Sequence, residues 1–371
     1  RRQARPGGSC PMTQTPAPKV SILMAVHNGE SYLKEALDSL LAQTFYDFEL
    51  VIIDDASTDG TPSLLADYAS RNAKIRLFTN EHNLKLAGSL NRGLRECRAP
   101  LVARADADDV SLVHRLQEQF HFMNAHNDVG VLSCNYYRMA ADGRVFDEVV
   151  LPQEDALMKF MLLWMTPICH ASAMFRRDVV LDAGGYDESY WTAQDYELWA
   201  RLAPRTRFAN LGEPLIRYRY HEASVSVNRG KTGAALGHEI SRELMSQYMG
   251  EKITQDGASA LKSLLCAFDS LQRDRYRPTL GLLEKLLRIA RKKEEPATLS
   301  WIDRTVAEAL LKHSTMLSYD APALSRELLT RTVKLCPAAT LASSTWKQAA
   351  RLALLGPWRR LMGTKSFPSE Q

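Results

Sequence analysis

Short apolar runs alternate along the chain with stretches of helical periodicity. Residues 20–26 form an apolar run of the kind expected from a strand buried on both faces of a parallel sheet. Asn28 and Gly29 then make a turn, and Leu33, Ala36, Leu37, Leu40 and Leu41 recur at helical spacing. A second strand at 48–53 ends in Asp54 and Asp55, and a loop over 56–60 leads to a helix at 61–72 with Pro62 in its first turn. A third strand at 75–79 and a helix near 87–97 precede a strand at 102–110, which runs into Asp106, Asp108 and Asp109. This alternation predicts βαβ units and an α/β fold with a doubly wound, mostly parallel central sheet. Such sheets bind ligands outside the C-terminal ends of their strands, where both acidic groups fall.

The pattern then changes. Residues 129–137 alternate like a half-buried strand, and Asp142-Gly143 makes a hairpin turn into a strand at 145–150. Gly184, Gly185, Tyr186 and Asp187 form a turn before WTAQDYELWARL, where Leu198, Trp199 and Leu202 make the apolar face of a helix. From Lys231 the chain is rich in Leu, Ala, Lys and Arg, with stripes such as Leu261, Leu264, Leu265 and Phe268 that predict helical hairpins. The expected division is a disordered tail over 1–18, an α/β domain over 19–230, with the regular strand–helix alternation in 19–115 and the changed pattern in 116–230, and a helical region with a basic amphipathic end over 231–371.

Composition is that of an ordinary globular protein, with 45% hydrophobic and 24% charged residues over 371 positions. The net charge of +4 hides an asymmetry: the first 230 residues are acidic overall and the remainder basic. Six scattered cysteines without a C-x-x-C pair argue against a zinc site or a disulfide framework and fit a cytoplasmic, reducing compartment. No uncharged apolar run reaches transmembrane length; the nearest, 157–175, is interrupted by Lys159, Pro167 and His170. After Glu327 no acid appears until Glu370, while Arg331, Lys334, Lys347, Arg351, Arg359, Arg360 and Lys365 intervene, flanked by Trp346 and Trp358. A basic, tryptophan-flanked amphipathic stretch suits an anionic membrane surface, and equally a helix packed on the catalytic domain with its basic face in water. It carries no nucleic-acid-binding signature, so no nucleic-acid partner is expected.

The acidic box has the sharpest chemistry. In an Asp-x-Asp unit of extended chain, alternate side chains share a side, so Asp106 and Asp108 can hold one hard divalent ion, Mg²⁺ or Mn²⁺. The competing reading of the tripeptide is a solvated acidic turn. The surrounding motifs favour the first. KVSILMAVHNGESYLKEALDSLLAQTFYDFELVIIDDASTDGT, then NEHNLKLAGSLNRGL, then the DADD box resemble, in that order, the family 2 inverting glycosyltransferases, which have the A-type nucleotide-sugar (GT-A) fold. The resemblance covers roughly 19 to 226, and it implies a glycosyltransferase catalytic domain over 19–230 in which 19–115 binds nucleotide and 116–230 forms the acceptor side.

That resemblance implies roles. The carboxylate of Asp55 would bond the uracil ring, next to Asp54, with Val26 and Asn28 in the first nucleotide-contacting loop. Asp108 would ligate the metal on the diphosphate, with Asp106 supporting the same ion, and Arg104 would either approach the phosphates or neutralise the acidic cluster. Asp195, from the family's Glu-Asp or Gln-Asp pair, would be the catalytic base, and His221 a further metal ligand or a surface loop residue. His170 stands at a position often occupied by His, for which a structural role bonded to backbone is the expectation. Two departures stand out: Lys85 where the family often has Gly, and Val113-His114 where it often has Pro. The expected function is metal-dependent transfer of a sugar from a nucleotide sugar, with UDP as the expected nucleotide, to a hydroxyl of a glycan or lipid-linked glycan. The alternatives are a nucleotidyltransferase, for which VHNGES lacks the glycine- and base-rich loop, or a non-catalytic glycan-binding scaffold.

Overall fold

The computed structural model describes residues 17–222, 230–266, 271–317 and 321–336. The expected tail before residue 17, Ser224 and Ser226, and the basic stretch around Trp346 and Trp358 lie outside the described residues. The first elements are β1 (Val20–Val26), α1 (Glu30–Leu41), β2 (Phe48–Asp54), α2 (Thr61–Arg71), β3 (Ile75–Thr79), α3 (Lys85–Glu96), β4 (Leu101–Arg104) and β5 (Val110–Ser111). There follow α4 (Arg115–Ala125), β6 (Val129–Ala140), β7 (Val145–Val149), α5 (Asp155–Met161), β8 (Met174–Arg176), α6 (Arg177–Asp182), α7 (Gln194–Leu202) and β9 (Arg207–Tyr220). The helices α8 (Gly230–Met249), α9 (Gln255–Cys266), α10 (Tyr276–Lys293), α11 (Pro296–Leu317) and α12 (Pro322–Leu335) complete the described chain.

The strands form one nine-stranded sheet in the order β3-β2-β1-β4-β8-β6-β9-β5, with β7 paired to β6. From β3 to β4 all pairs are parallel, as the βαβ pattern requires. Beyond β4 the sheet is mixed: β8 runs antiparallel to β4 and β6, whereas β6 and β9 are parallel from Val129↔Arg207 to Ala140↔Tyr220. The sheet is therefore purely parallel from β3 to β4 and mixed beyond, with the long β6–β9 pair again parallel. One expected strand is split. The ladder of β4 ends as the chain enters the carboxylates, and Val110–Ser111 pairs instead with β9, antiparallel.

Alternation along the strands sorts the core into two layers. Ile22, Met24, Leu50 and Ile52 face α1, α2 and α4 through Leu33, Leu37, Leu65, Leu116 and Met123. Leu23, Val51 and Ile53 face the other way, onto Leu90 and Leu94 of α3 and a layer containing Leu198 and Trp199 of α7. A third cluster joins Phe160, Leu163 and Trp164 to Leu261, Leu264, Leu283, Leu286 and Ile302, so the helices after residue 230 pack on the segment around α5. No helix of the described residues is long and apolar enough to cross a membrane.

The contact of α3 with the sheet leaves no spare volume. A Cβ on Gly93 would lie 2.3 Å from Leu23 Cδ1 and 3.0 Å from Ile53 Cγ1. Overpacking of this kind costs about 1–3 kcal/mol. The expected result for Gly93→Val is a thermal midpoint lowered by several degrees, read by circular dichroism. An unchanged midpoint would show that α3 can move off β1 and β2 without loss.

Candidate functional site

The site is built at the C-terminal ends of β1, β2 and β4. After β1, residues 27–29 turn sharply; after β2, residues 55–60 do the same, and the two loops are joined by their own side chains. His27 Nδ1 donates to the Asp55 carbonyl at 2.8 Å, which fixes its tautomer. Asn28 N donates to Ser57 Oγ at 3.0 Å, and its Oδ1 accepts from Thr58 N at 2.8 Å. Gly29 N donates to Thr61 Oγ1 at 2.9 Å, and Glu30 accepts from Gly60 N at 2.9 Å. Asn28 and Ala56 hold positive φ values of 53° and 56° within these loops. So does Lys85, at 64°. Its backbone thus keeps a conformation that favours glycine, although the residue is lysine.

Asp55 is buried, and its Oδ1 accepts two hydrogen bonds, from Asn80 Nδ2 and Leu84 N, each at 2.7 Å. Its Oδ2 has no partner among the described residues. Asp54 is buried as well, and its carboxylate accepts from Ser57 N at 3.2 Å, closing the loop that follows it. The side chain of Val26 lies in the core, and its carbonyl accepts from Asp55 N at 2.8 Å. Its role is to position Asp55.

The carboxylates of Asp106, Asp108 and Asp109 offer oxygens that all lie within 4.8 Å of one another. Burial raises the pKa of the Asp108 carboxyl from its ordinary value, and the charge of Asp106 adds to the effect. Asp109 is raised further, by burial first and then by Asp108 and Asp106. One of its oxygens, Oδ1, accepts from Arg219 N at 2.7 Å, while Oδ2 has no protein partner among the described residues. Crowded, desolvated carboxylates of this kind suit a hard divalent cation, so the residues present fit the metal that the sequence implied.

Arg104 lies on the inner side of the cluster. It is fully buried, with its guanidinium held by the Ala105 carbonyl and the Asp106 carboxylate. A side chain so enclosed neutralises the cluster from beneath and does not reach outward to phosphates. Arg115, equally buried, donates from Nη2 to the Arg104 carbonyl at 2.5 Å and from Nη1 to Ser111 Oγ at 3.0 Å.

The β5–β9 pairing brings a distant segment to this cluster. Arg219 donates from Nε to the Asp108 carbonyl at 2.8 Å and forms an ion pair with Glu35 of α1. Two residues on, His221 Nε2 lies 2.9 Å from Asp108 Oδ2, and its ring lies 4.7 Å from that of Tyr32.

A cavity of about 280 Å³ opens beside the carboxylates. Asp106 and Asp108 line it on one side, Asp195 on another, with His170, Thr192, Gln194, Tyr136, Tyr218 and Tyr220 between. Val26, Asn28, Asp54, Asp55 and His221 stand outside this lining. Asp195 occupies the first turn of α7, where the helix dipole favours a carboxylate. Its carboxylate forms no hydrogen bond or ion pair with any described residue. The helix is anchored behind it: Glu197 takes a two-point ion pair from Arg201, which also donates to the Gly185 carbonyl at 2.7 Å. Gly184 and Gly185, at φ +92° and +73°, make the turn that permits this. His170 Nε2 meets the Tyr186 hydroxyl at 2.9 Å rather than backbone. Burial, with the Arg104 charge second, lowers its pKa to about 4, so the ring is neutral near pH 7.

The family model for Glycosyl transferase family 2 matches residues 21–184. The O-antigen biosynthesis glycosyltransferase WbnJ of Escherichia coli is 32% identical over 209 residues, which cover 55% of this chain and 81% of that protein. The chain belongs to glycosyltransferase family 2. A second Escherichia coli relative, UDP-Gal:alpha-D-GlcNAc-diphosphoundecaprenol beta-1,3-galactosyltransferase, is 30% identical over 62% of this glycosyltransferase and 82% of its own length. Among solved structures, S. aureus TarS 1–349 in complex with UDP-GlcNAc superposes with a TM-score of 0.54 at 17% identity, covering 90% of this chain and 92% of that one. This likeness extends the fold agreement through the C-terminal helices.

Sequence reasoning missed Thr192 and Gln194 of this glycosyltransferase. Both are buried and line the cavity, yet Thr192 Oγ1 and Gln194 Oε1 have no partner among the described residues. The only signal was their place just before Asp195 in TAQD. An orphaned buried oxygen costs about 1–3 kcal/mol. Thr192→Val should therefore raise stability by about 1 kcal/mol, read as a higher denaturant midpoint. An equal or lower midpoint would show that the hydroxyl is already satisfied in solution.

Proposed function

We propose that this family 2 glycosyltransferase is a metal-dependent inverting enzyme. It takes a sugar from a nucleotide donor, a UDP-sugar, and transfers it to a hydroxyl of a glycan or lipid-linked glycan during cell-surface polysaccharide synthesis. The observation that carries the reading is the placement of an unbonded carboxylate, Asp195, in the same cavity as Asp106 and Asp108. The names of the relatives support the substrate class: one acts in O-antigen biosynthesis, and another uses UDP-Gal and a diphosphoundecaprenol-linked acceptor.

In this reading Asp108 and Asp106 hold Mg²⁺ or Mn²⁺, with His221 as a further ligand beside Asp108; the imidazole favours Mn²⁺. A divalent ion there neutralises the donor diphosphate and stabilises it as a leaving group. Asp55 accepts from the base through Oδ2, since its Oδ1 is already committed to Asn80 and Leu84. Asn28 and Asp54 shape the loops around that contact.

Asp195 acts on the acceptor. A sugar hydroxyl is too weak an acid to ionise beforehand, so its proton passes to Asp195 as oxygen bonds to the anomeric carbon. Attack from the face opposite the diphosphate inverts that carbon. Thr192 and Gln194 line the cavity beside Asp195, and Tyr136, Tyr218 and Tyr220 offer ring faces to a sugar.

Two substitutions separate the roles. Asp195→Asn should lower transfer by on the order of a thousandfold while donor affinity stays near wild type. Asp108→Asn should weaken metal-dependent donor binding more than tenfold, on the order of the loss of one charged ligand. Calorimetric titration of UDP-sugars with Mn²⁺ and with chelator reads the second effect, and product analysis reads the first. Substantial transfer by Asp195→Asn would remove its assignment as base. Metal-independent donor binding would remove that of Asp108.

A further inference from the structure

A second cleft, of about 550 Å³, lies far along the chain from the carboxylates, among α10, α11 and α12. Its floor is apolar, formed by Leu283, Leu287, Leu310 and Leu335. Its rim is basic: Arg288, Arg291, Lys292, Arg331 and Lys334 stand there with a single acid, Glu284. Arg331 is paired with Glu284 and Glu327, and Arg291 with Asp303. Arg288, Lys292 and Lys334 are exposed and form no ion pair with any described residue. Arg288 and Lys292 are four residues apart on α10, and so share a face of that helix.

The volume falls within the range of ligand pockets, roughly 300–1,000 Å³. Its two chemistries limit what fits. A small anion alone would leave the leucine floor wet. The chain that follows Cys336 carries Lys347, Arg351, Arg359, Arg360 and Lys365 before its first acid, and so repeats the charge of the rim. An occupant with an apolar chain and an anionic head satisfies both parts. We propose that this cleft docks an anionic membrane lipid, with an acyl chain over Leu283, Leu287, Leu310 and Leu335 and the phosphate among Arg288, Lys292 and Lys334. The helical region then holds the enzyme at a negatively charged bilayer by a contact independent of sugar transfer. Attraction of this kind is screened by salt.

The test uses the full-length protein and vesicles of equal parts phosphatidylglycerol and phosphatidylcholine, compared with phosphatidylcholine alone. Co-sedimentation should require phosphatidylglycerol and fall as salt rises. The exposed triple variant Arg288→Gln, Lys292→Gln, Lys334→Gln should bind those vesicles more than tenfold more weakly while its UDP-sugar titration is unchanged. A phosphatidylglycerol with a photoreactive acyl chain should cross-link to α10 and α12 around Leu283, Leu287 and Leu335. Wild-type binding by the triple variant would overturn the proposal, as would cross-links confined to residues 337–371 or no binding to phosphatidylglycerol vesicles. None of these outcomes bears on the assignment of Asp195.

Discussion

The structure depends on the containment of like charge at the sheet edge. Asp106, Asp108 and Asp109 bring three carboxylates within 4.8 Å, partly or wholly removed from water, which is unfavourable without cations close by. Three buried arginines supply the containment. Arg104 lies under the cluster and pairs with Asp106. Arg115 ties the backbone of Arg104 to Ser111, so the segment between β4 and β5 is closed at both ends. Arg219 joins the Asp108 carbonyl, the Ala141 carbonyl and Glu35, linking the acidic segment, the β6–β7 turn and α1. These contacts leave Asp106 and Asp108 facing a cavity, while Asp109 is buried outside its lining.

The same bracing explains why a sheet that begins as parallel βαβ units ends mixed. The last strand must reach the acidic segment from outside, and it does so by pairing Val110 with Arg217 and Ser111 with Ile216. Alternation along β9 then places Tyr218 and Tyr220 at the cavity and Arg219 behind it. His221 arrives beside Asp108 as the next step of that strand. One register thus sets an aromatic wall, a buried cation and a histidine at once.

These relations show what the sequence could disclose. The strands up to β4, the helices that cover them and the position of both acidic groups at strand ends follow from local periodicity, which needs no knowledge of partners. Asp195 was singled out through a motif on a helix whose apolar face was itself legible. The fate of Arg104 was not, because an arginine beside three acids reads equally well as buried counter-charge or as ligand contact until its exposure is known. Nor was the break between β4 and β5, since an apolar strand that leaves one ladder and joins another keeps the same pattern throughout. Thr192 and Gln194 were silent for a simpler reason. A polar residue without a partner has no signature in sequence, because what marks it is the absence of neighbours folded from elsewhere.

The two sides of the site differ in how their polar groups are satisfied. Around the ends of β1 and β2, hydrogen bonds run between the loops, and they hold Asn28 and Ala56 in left-handed conformations that cost on the order of 1 kcal/mol or more each. A backbone held in that way keeps its shape whether or not a ligand is present, and Asp55 is fixed there by two bonds to a single oxygen. Across the cavity the reverse holds: Asp195 has no bond, and Thr192 and Gln194 each keep an oxygen without a protein partner among the described residues. In the proposed reading, fixed geometry suits recognition of a nucleotide whose shape does not change in the reaction. An unbonded carboxylate suits the proposed base, because a bond formed only there can strengthen as charge develops on the attacking oxygen.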